Sequence, residues 1–584
     1  MNQNLISKQP LGHHAPNIGE MLFENCNQYG KLKAFGEREQ GNYRFRTWRE
    51  FGNHICDFSA FLQKSGVQQG QKVAFITSNN YSRLVAEMAV MSCGCISIPI
   101  FVAYSDDFLT QLLEFSPVDL LVIENQEKLC GLPPHVIPPM TILLEKGGAS
   151  IGKTSKTDIK YMAEILSPQA DVPFAAKQFR SIHPDVSSND LAMIMFTSGT
   201  TSFPKGVQLT HGNILSQQKA LQQLWKTKPG RRFLCYLPWH HSFGGLFERF
   251  FALYSGGCLA VDDSRGKFLD KLFENFADIK PHIYFSVPKV YQDIVTKTLI
   301  DKKADEMFFH KELEFVFTAA APLTSTISNI FKAKNVPVVE GWGLTETSPC
   351  CTLTPLSLER QPGVVGFPIP GVAIKLGEED EILVKGPNVM GGYYNNPEAT
   401  AKVFTKDGWF KTGDIGGITD QGVKIISRKD RMFKLNNGEK VFPSTIEEAA
   451  KTQCIYIKNI YVGGKGQVYP HALVFPNQEL LQAKEVKNPE MEDCACPKTL
   501  PDHAACLAKC IQEINQLNNK RYEHITKAIL VDQELMLERG ELTPSLKMVP
   551  RIIEENFQQQ LTCLEGDQLS GLPVDSRVIP IGKE

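Results

Sequence analysis

The segment Phe196–Asn213, FTSGTTSFPKGVQLTHGN, puts six Ser/Thr, three Gly and one Lys directly after the apolar run LAMIMF (Leu191–Phe196). Hydroxyls, glycines and a cation at the end of a strand are the means of holding a phosphate. Ser198, Thr200 and Thr201 offer hydroxyls, Gly199 lets the backbone approach closely, and successive N–H groups can form an anion-binding nest. The spacing is not that of a Walker A loop, which reads G-x-x-x-x-G-K-[ST] and opens a helix. Here Lys205 stands between Pro204 and Gly206. On these residues alone, a Ser/Thr/Gly-rich surface turn that binds nothing is an open alternative.

Further segments carry reactive side chains. EGWGLTETSP (Glu340–Pro349) sets Trp342 between turns with Thr345 and Glu346 beside it, and DGWFKTGDIG (Asp407–Gly416) ends in an acidic turn around Asp414. SRKDRMFKLNNGEKVFPSTIEE (Ser427–Glu448) is basic, then Gly-containing at Gly438, then helical; ERGELTPSLKMVPR (Glu538–Arg551) holds the isolated Lys547. Each has an ordinary reading: Trp342 as a core aromatic, Glu346 as a helix-start carboxylate, Asp414 as a turn residue, Arg428 and Lys547 as solvated charges.

These residues need elements to position them. From Trp48 to Phe101 an amphipathic segment ending at Gly66 is followed by the strand-like KVAFIT, the helix-like YSRLVAEMAVMSCG and the strand-like CISIPIF. DDFLTQLLEFSP and DLLVIE continue the series, and it returns at RFLCYLPW, GGCLAV, HIYFSVP and FVFTAAAPL. Alternation of this kind with short connections predicts a doubly wound parallel or mixed sheet. After about residue 360, GVAIKLGEEDEILVKGPNVMGGYY reads as short antiparallel strands with turns at 377–380 and 386–388. A last block from about residue 428 reads as a small α+β unit with a long helix from Ala504 to Asn518. The expected organisation is α/β: residues 1–427 as a large domain (1–359 the core, about 360–427 a β-rich subdomain) and 428–584 as a smaller C-terminal domain.

Composition narrows the partners. A chain of 584 residues exceeds one compact core. With 62 basic and 64 acidic side chains there is no field that favours nucleic acid. The N-terminus lacks the apolar stretch of a signal peptide, and Glu87 and Pro99 break the most hydrophobic window, Leu84–Tyr104, which reads as a helix running into a buried strand. Fifteen cysteines without regular spacing suit thiols in a reducing cytoplasm, with peripheral membrane contact left open. Cys494, Cys496, Cys506 and Cys510, with His503 among them, depart from zinc-ligand spacing and read as an unliganded surface insertion.

Taken in order, the five motifs resemble the adenylate-forming superfamily of acyl-CoA synthetases, luciferases and peptide-synthetase adenylation domains, over about residues 17 to 557. TSGTTSFPKGV, GWGLTETSP and GELTPSLK are most similar to long-chain fatty acyl-CoA synthetases. The resemblance implies AMP-forming activation of a fatty carboxylate by ATP and Mg²⁺, then transfer of the acyl group to coenzyme A. It assigns Thr197, Ser198, Gly199, Thr200, Thr201 and Lys205 to the β- and γ-phosphates, Thr345 to the α-phosphate, and Glu346, with Thr197, to the metal. Trp342, where Tyr is usual, with Gly343 beside it, would stack on adenine, and Asp414 and Arg428 would meet the ribose. Lys547 would bridge the acyl carboxylate and α-phosphate. A mobile C-terminal domain would turn about Asp430 and bring the Gly438 loop to the thiol channel. LPWHHSFGGLFERFFALYSGG matches the acyl-entrance segment, with His241 aligned to the family histidine and Trp239 and Phe243 beside it.

Two departures stand out. Ser202 replaces a usual Gly, which costs about 1 kcal/mol if that position needs positive φ, and Ala320 or Ala321 in FTAAAPL narrows a junction normally richer in Gly. Two other readings stay open: a ligase that hands its acyl group to a carrier-protein phosphopantetheine, and a non-catalytic acyl-nucleotide binding protein. Oligomeric state is not legible.

Overall fold

A computed structural model of the chain describes all residues except 1–3, 146–156, 169–171, 183–184, 198–203, 320–322, 324, 358, 360, 362, 455, 479–498, 537–538, 543–547, 567–571 and 582–584. Among the described residues the backbone forms two large sheets, one five-stranded antiparallel sheet, a four-stranded sheet and a small hairpin.

The first large sheet has Lys72–Ile76 near its middle, paired in parallel with Ile96–Ile100 on one side and Leu120–Ile123 on the other. Val73, Ala74, Phe75 and Ile76 are all buried, because helices cover both faces of a central parallel strand. Helix Tyr81–Ser92 packs directly on this sheet, and helix Trp48–Lys64 packs against that helix. Thr47 and Glu50 close the N-terminus of Trp48–Lys64 as a capping box, and Phe51, Ile55, Phe58 and Leu62 recur at helical spacing on its buried face. At one end of the sheet the order changes hand: Leu191–Thr197, Lys205–Thr210 and Gly392–Tyr393 pair antiparallel.

The second large sheet runs in parallel through Lys33–Glu39, Cys258–Val261, Arg232–Cys235, Ile283–Ser286, Phe315–Thr318 and Val338–Trp342, with antiparallel strands at both edges. The doubly wound α/β expectation holds, and helix Tyr81–Ser92 does run into strand Ile96–Ile100. Glu87, which breaks the apolar window, is fully buried and accepts hydrogen bonds from both terminal nitrogens of Arg249 (2.5 and 3.1 Å) and from Ser97 Oγ (2.9 Å). Burial opposes its charge, but Arg249 and Arg83 outweigh burial and hold its pKa below the ordinary glutamate value.

The five-stranded sheet contains the expected antiparallel strands Ala373–Leu376 and Glu381–Lys385, then Phe410–Thr419 and Gly422–Arg428. Its outer strand, Leu5–Ile6, comes from the far N-terminus and pairs with Ala373 and Ile374; two residues carry no periodicity from which sequence could read it. The four-stranded sheet Ile457–Gly463, His471–Pro476, Lys527–Val531 and Ser576–Ile579 forms a smaller C-terminal α+β unit. Helices Pro443–Gln453 and Leu500–Leu517 cover one face of it, the latter starting before the expected Ala504.

The cysteine expectation is corrected in part. Cys510 is buried in the core under helix Leu500–Leu517, and Cys506, four residues earlier on the same helical face, packs against that core, so neither belongs to a surface insertion. His503 is buried with its ring against Tyr456. Cys494 and Cys496 lie outside the described residues, and among those described no group of three metal-ligating side chains occurs. No described helix is long and apolar enough to cross a membrane.

Several buried histidines set an acid limit on the fold. His211 is fully buried, its Nδ1 accepts from Ile18 N–H (3.2 Å), and burial depresses its pKa from 6.5 to about 4; His471 is lowered similarly. The folded ring stays neutral while the unfolded ring gains a proton, so the unfolded state binds more protons between about pH 6.5 and 4. Stability therefore falls as pH drops through that window. Thermal unfolding followed by circular dichroism is expected to show a decreasing Tm from pH 6.5 to 4.5, with a shallower slope in His211→Gln; an unchanged slope would contradict the assignment.

Candidate active site

The phosphate-type segment forms a hairpin, not a strand-to-helix loop. Thr197 ends one strand and lies directly opposite Lys205, the first residue of the return strand, and Thr197 Oγ1 donates to Lys205 O at 3.4 Å. The connecting residues Ser198, Gly199, Thr200 and Thr201, and the departure Ser202, lie outside the described residues, as do Ala320 and Ala321. The amine of Lys205 sits 5.1 Å from the centre of the Tyr393 ring on the neighbouring strand.

From the second large sheet, strand Val338–Trp342 runs into a tight turn at Thr345–Thr347. Gly343 is required there: a Cβ on it would lie 1.9 Å from Pro349 O. Asn388 Nδ2 braces the turn by donating to Thr347 O and Cys350 O, both at 2.9 Å. Thr345 Oγ1 donates to Ser242 Oγ (3.1 Å), and Glu346 Oε1 accepts from the Tyr393 hydroxyl (2.8 Å). Burial, then the nearby Glu346 carboxylate, pushes the Tyr393 pKa well up, so this phenol stays a donor.

The third component comes from the five-stranded sheet. Asp414 and Arg428 are register partners on adjacent strands. Asp414, 6% exposed, accepts from Trp342 Nε1 at 2.9 Å on one oxygen and from Arg428 Nη1 at 3.1 Å on the other. Burial opposes the charge on Arg428, but Asp414 and Asp430 outweigh it and raise its pKa above the ordinary arginine value. Asp430 lies 3.6 Å from Arg428 Nε.

All three components open onto one cavity of about 910 Å³. Its wall includes Thr197, Lys205, Trp342, Gly343, Thr345, Glu346, Asp414, Arg428 and Asp430, and at an apolar end Phe243, with His241 nearby. Phe247 and Phe317 continue that apolar end, their rings 4.6 Å apart. Phe243 N–H donates to His241 Nδ1 (3.3 Å), so a neutral His241 carries its proton on Nε2. Phe243–Glu248 winds as a π-helix, a widened turn often found at functional sites.

One expectation changes. Trp239 does not reach the cavity: it is fully buried, packed edge-on against Phe35 with the Arg249 guanidinium 5.2 Å from its ring, because the buried ion cluster needs an aromatic wall. Gly438 is off the cavity wall, in a hairpin turn between Phe433–Lys434 and Lys440–Val441. Its φ of 85° explains the glycine, and its α-carbon faces open space. Lys547 lies outside the described residues. Sequence reasoning missed Tyr393, Ser242 and the cavity-facing Glu340 and Glu448. Ser242 directly follows the singled-out His241, and Tyr393 lies near the end of the segment GVAIKLGEEDEILVKGPNVMGGYY, read as short antiparallel strands, where nothing marks it as a site residue.

The donor set fits a hard cation. Glu346 and Thr197 both line the cavity and carry oxygen donors, and Mg²⁺ is typically held by one or two carboxylates with water and phosphate completing its shell.

Residues 22–394 match the family described as AMP-binding enzyme, and residues 430–562 match the AMP-binding enzyme C-terminal domain. The chain is similar to a long-chain-fatty-acid–CoA ligase of Mycobacterium bovis, with 24% identity covering 95% of this chain and 98% of the relative. It is also similar, at 24% identity over 88% of this chain and 82% of the relative, to a chloroplastic long-chain-fatty-acid–[acyl-carrier-protein] ligase of Arabidopsis thaliana. Among solved structures it matches the O-succinylbenzoate coenzyme A synthetase of Bacillus subtilis in complex with ATP and magnesium ion, with a TM-score of 0.70 and 18% identity over 92% of this chain and 99% of that one. The family match covers more than half of the sequence: the chain belongs to the AMP-binding enzyme family, the adenylate-forming superfamily, and is most like its long-chain acyl-CoA synthetases.

Proposed function

We propose that this protein is an AMP-forming ligase that joins a fatty acid to coenzyme A. The observation that carries the reading is the single cavity in which Lys205, Glu346, Trp342 and Asp414 line one part and Phe243, Phe247 and Phe317 another. A nucleotide triphosphate suits the first part and an aliphatic acid the second; the similarity to fatty-acid ligases supports the acyl class.

A carboxylate resists attack because its own charge repels nucleophiles and its oxide is a poor leaving group. In the proposed first half-reaction, a carboxylate oxygen of the fatty acid attacks the α-phosphorus of ATP, the α–β bond breaks, and pyrophosphate departs. Lys205 and the Thr197–Lys205 hairpin hold the leaving phosphates, and the Thr345 hydroxyl turns from Ser242 Oγ to donate to the α-phosphate where charge builds. Glu346 and Thr197 hold Mg²⁺, which supplies charge neutralisation for the departing pyrophosphate. Trp342 stacks on adenine. Asp414 accepts from the ribose hydroxyls through lone pairs beyond those used by Trp342 and Arg428. His241 Nε2–H faces the acyl carboxylate, and Lys547 bridges it to the α-phosphate.

In the second half-reaction the CoA sulfur attacks the acyl carbonyl, the carbon–oxygen bond to AMP breaks, and AMP leaves with the electron pair. Residues 428–584 act as a mobile domain hinged near Asp430, which withdraws Lys547 and presents the Gly438 turn to the pantetheine arm. The fifteen cysteines without regular spacing support a cytoplasmic setting for this activity, with peripheral membrane contact left open.

Incubation with ATP, Mg²⁺, fatty acids of graded length and CoA is expected to yield pyrophosphate, AMP and acyl-CoA, and a parallel incubation with a phosphopantetheinylated carrier protein in place of CoA is expected to yield no acyl-carrier. Acyl transfer to the carrier alone supports the carrier-ligase reading instead, and nucleotide binding without pyrophosphate supports a binding protein. Lys547→Ala is expected to slow pyrophosphate release by about 100-fold or more while changing thioester formation from supplied acyl-AMP only several-fold; equal losses in both assays would contradict its role. Asp414→Ala is expected to weaken AMP binding by roughly 10-fold or more, as the loss of charge-assisted hydrogen bonds predicts, measured by calorimetry.

A further inference from the structure

Tyr393 stands between the two groups that would handle opposite charges. Its strand, Gly392–Tyr393, pairs antiparallel with Lys205–Thr210, with Tyr393 opposite Val207. Its N–H donates to Thr400 Oγ1 (2.9 Å), and the next residue's N–H donates to Gly206 O (2.7 Å), so the backbone is fixed to the hairpin. From that position the ring lies 5.1 Å from Lys205 Nζ and the hydroxyl donates to Glu346 Oε1 at 2.8 Å. The same loop also grips the Glu346 backbone, through Met390 N–H to Glu346 O (2.8 Å). Tyr393 is 6% exposed, so water does not readily replace this hydrogen bond.

We propose that Tyr393 is a positioning residue that orients the Glu346 carboxylate for a divalent cation and, through its ring, sets the Lys205 amine for the phosphates that accompany it. This assignment rests on the nucleotide-binding reading of the cavity. An unsupported glutamate must lose rotamer freedom when it takes a metal; one already held by a phenol loses less. The hydroxyl uses one lone pair of one oxygen, which leaves the carboxylate able to coordinate. The ring face meanwhile attracts the ammonium and keeps it on the side of the hairpin that faces the cavity. A single side chain thus ties the position of the metal carboxylate to that of the phosphate cation.

The test is calorimetric and needs no turnover. Mg²⁺ is titrated into the full-length protein saturated with α,β-methylene-ATP, for wild type, Tyr393→Phe and Tyr393→Leu, and AMP is titrated separately without metal. Tyr393→Phe keeps the ring and loses the hydroxyl: its Kd for Mg²⁺ is expected to rise about 10-fold or more, with AMP affinity within about two-fold of wild type. Tyr393→Leu, which also loses the ring, is expected to weaken metal-free binding of the triphosphate analogue, while AMP, which lacks the outer phosphates, binds as before. An unchanged Mg²⁺ affinity in Tyr393→Phe overturns the assignment and leaves nucleotide binding standing. Failure of the wild type to bind AMP or the analogue removes the nucleotide reading, and this assignment with it.

Discussion

The site depends on one buried carboxylate. Asp414 lies almost wholly out of water, and a carboxylate in that position is costly unless hydrogen bonds satisfy it. Two of those bonds come from different parts of the chain: the indole N–H of Trp342, at the end of the second large sheet, and the guanidinium of Arg428, at the end of the five-stranded sheet. Satisfying Asp414 therefore pins the β-rich subdomain against the α/β core at the wall of the cavity. It also fixes the last residue before Lys429 and Asp430, the segment through which the chain passes to its C-terminal unit. Lys429 extends the same tie through Glu381 (2.9 Å).

Charge around the cavity explains why a triphosphate would come with a metal. Among the described residues, the wall carries the six carboxylates of Glu340, Glu346, Glu381, Asp414, Asp430 and Glu448 against five basic side chains, Lys205, Lys402, Lys411, Arg428 and Lys429, and the last two are already engaged by acidic partners. Burial, together with Glu447 and Glu340, outweighs Lys451 and raises the Glu448 pKa. Lys205, Lys402 and Lys411 are the cations on that wall with which an anion would be met. In the proposed mechanism the remaining positive charge arrives with Mg²⁺ and with Lys547, so adenylation is tied to the arrangement of the C-terminal unit.

Much of this was legible where local chemistry sets the structure. The strand before the phosphate-type segment, the strand–helix alternation and the antiparallel pair after residue 360 follow from periodicity and turn residues, whereas the convergence of Trp342, Thr345, Glu346 and Asp414 is implied only by the resemblance of the ordered motifs to the adenylate-forming superfamily. What escaped depends on distant partners. Trp239 looks like an acyl-pocket aromatic beside His241, but the Glu87–Arg249 cluster, assembled from residues 162 positions apart, takes it into the core. Tyr393 looks like an ordinary strand tyrosine until its strand is seen to lie beside the hairpin. Cys510 looks like part of an insertion until its helix is seen to cover the small sheet. Leu5–Ile6 is too short to announce a strand.

The central claim is that the Trp342–Asp414–Arg428 chain is the sugar and base end of a nucleotide site. Crystals of the protein grown with AMP test it directly. The account predicts density for adenine against the Trp342 indole and for the ribose hydroxyls within hydrogen-bond distance of Asp414, with the phosphate turned toward Thr345. A nucleotide bound elsewhere, with Trp342 and Arg428 still enclosing Asp414 away from the ligand, would contradict it.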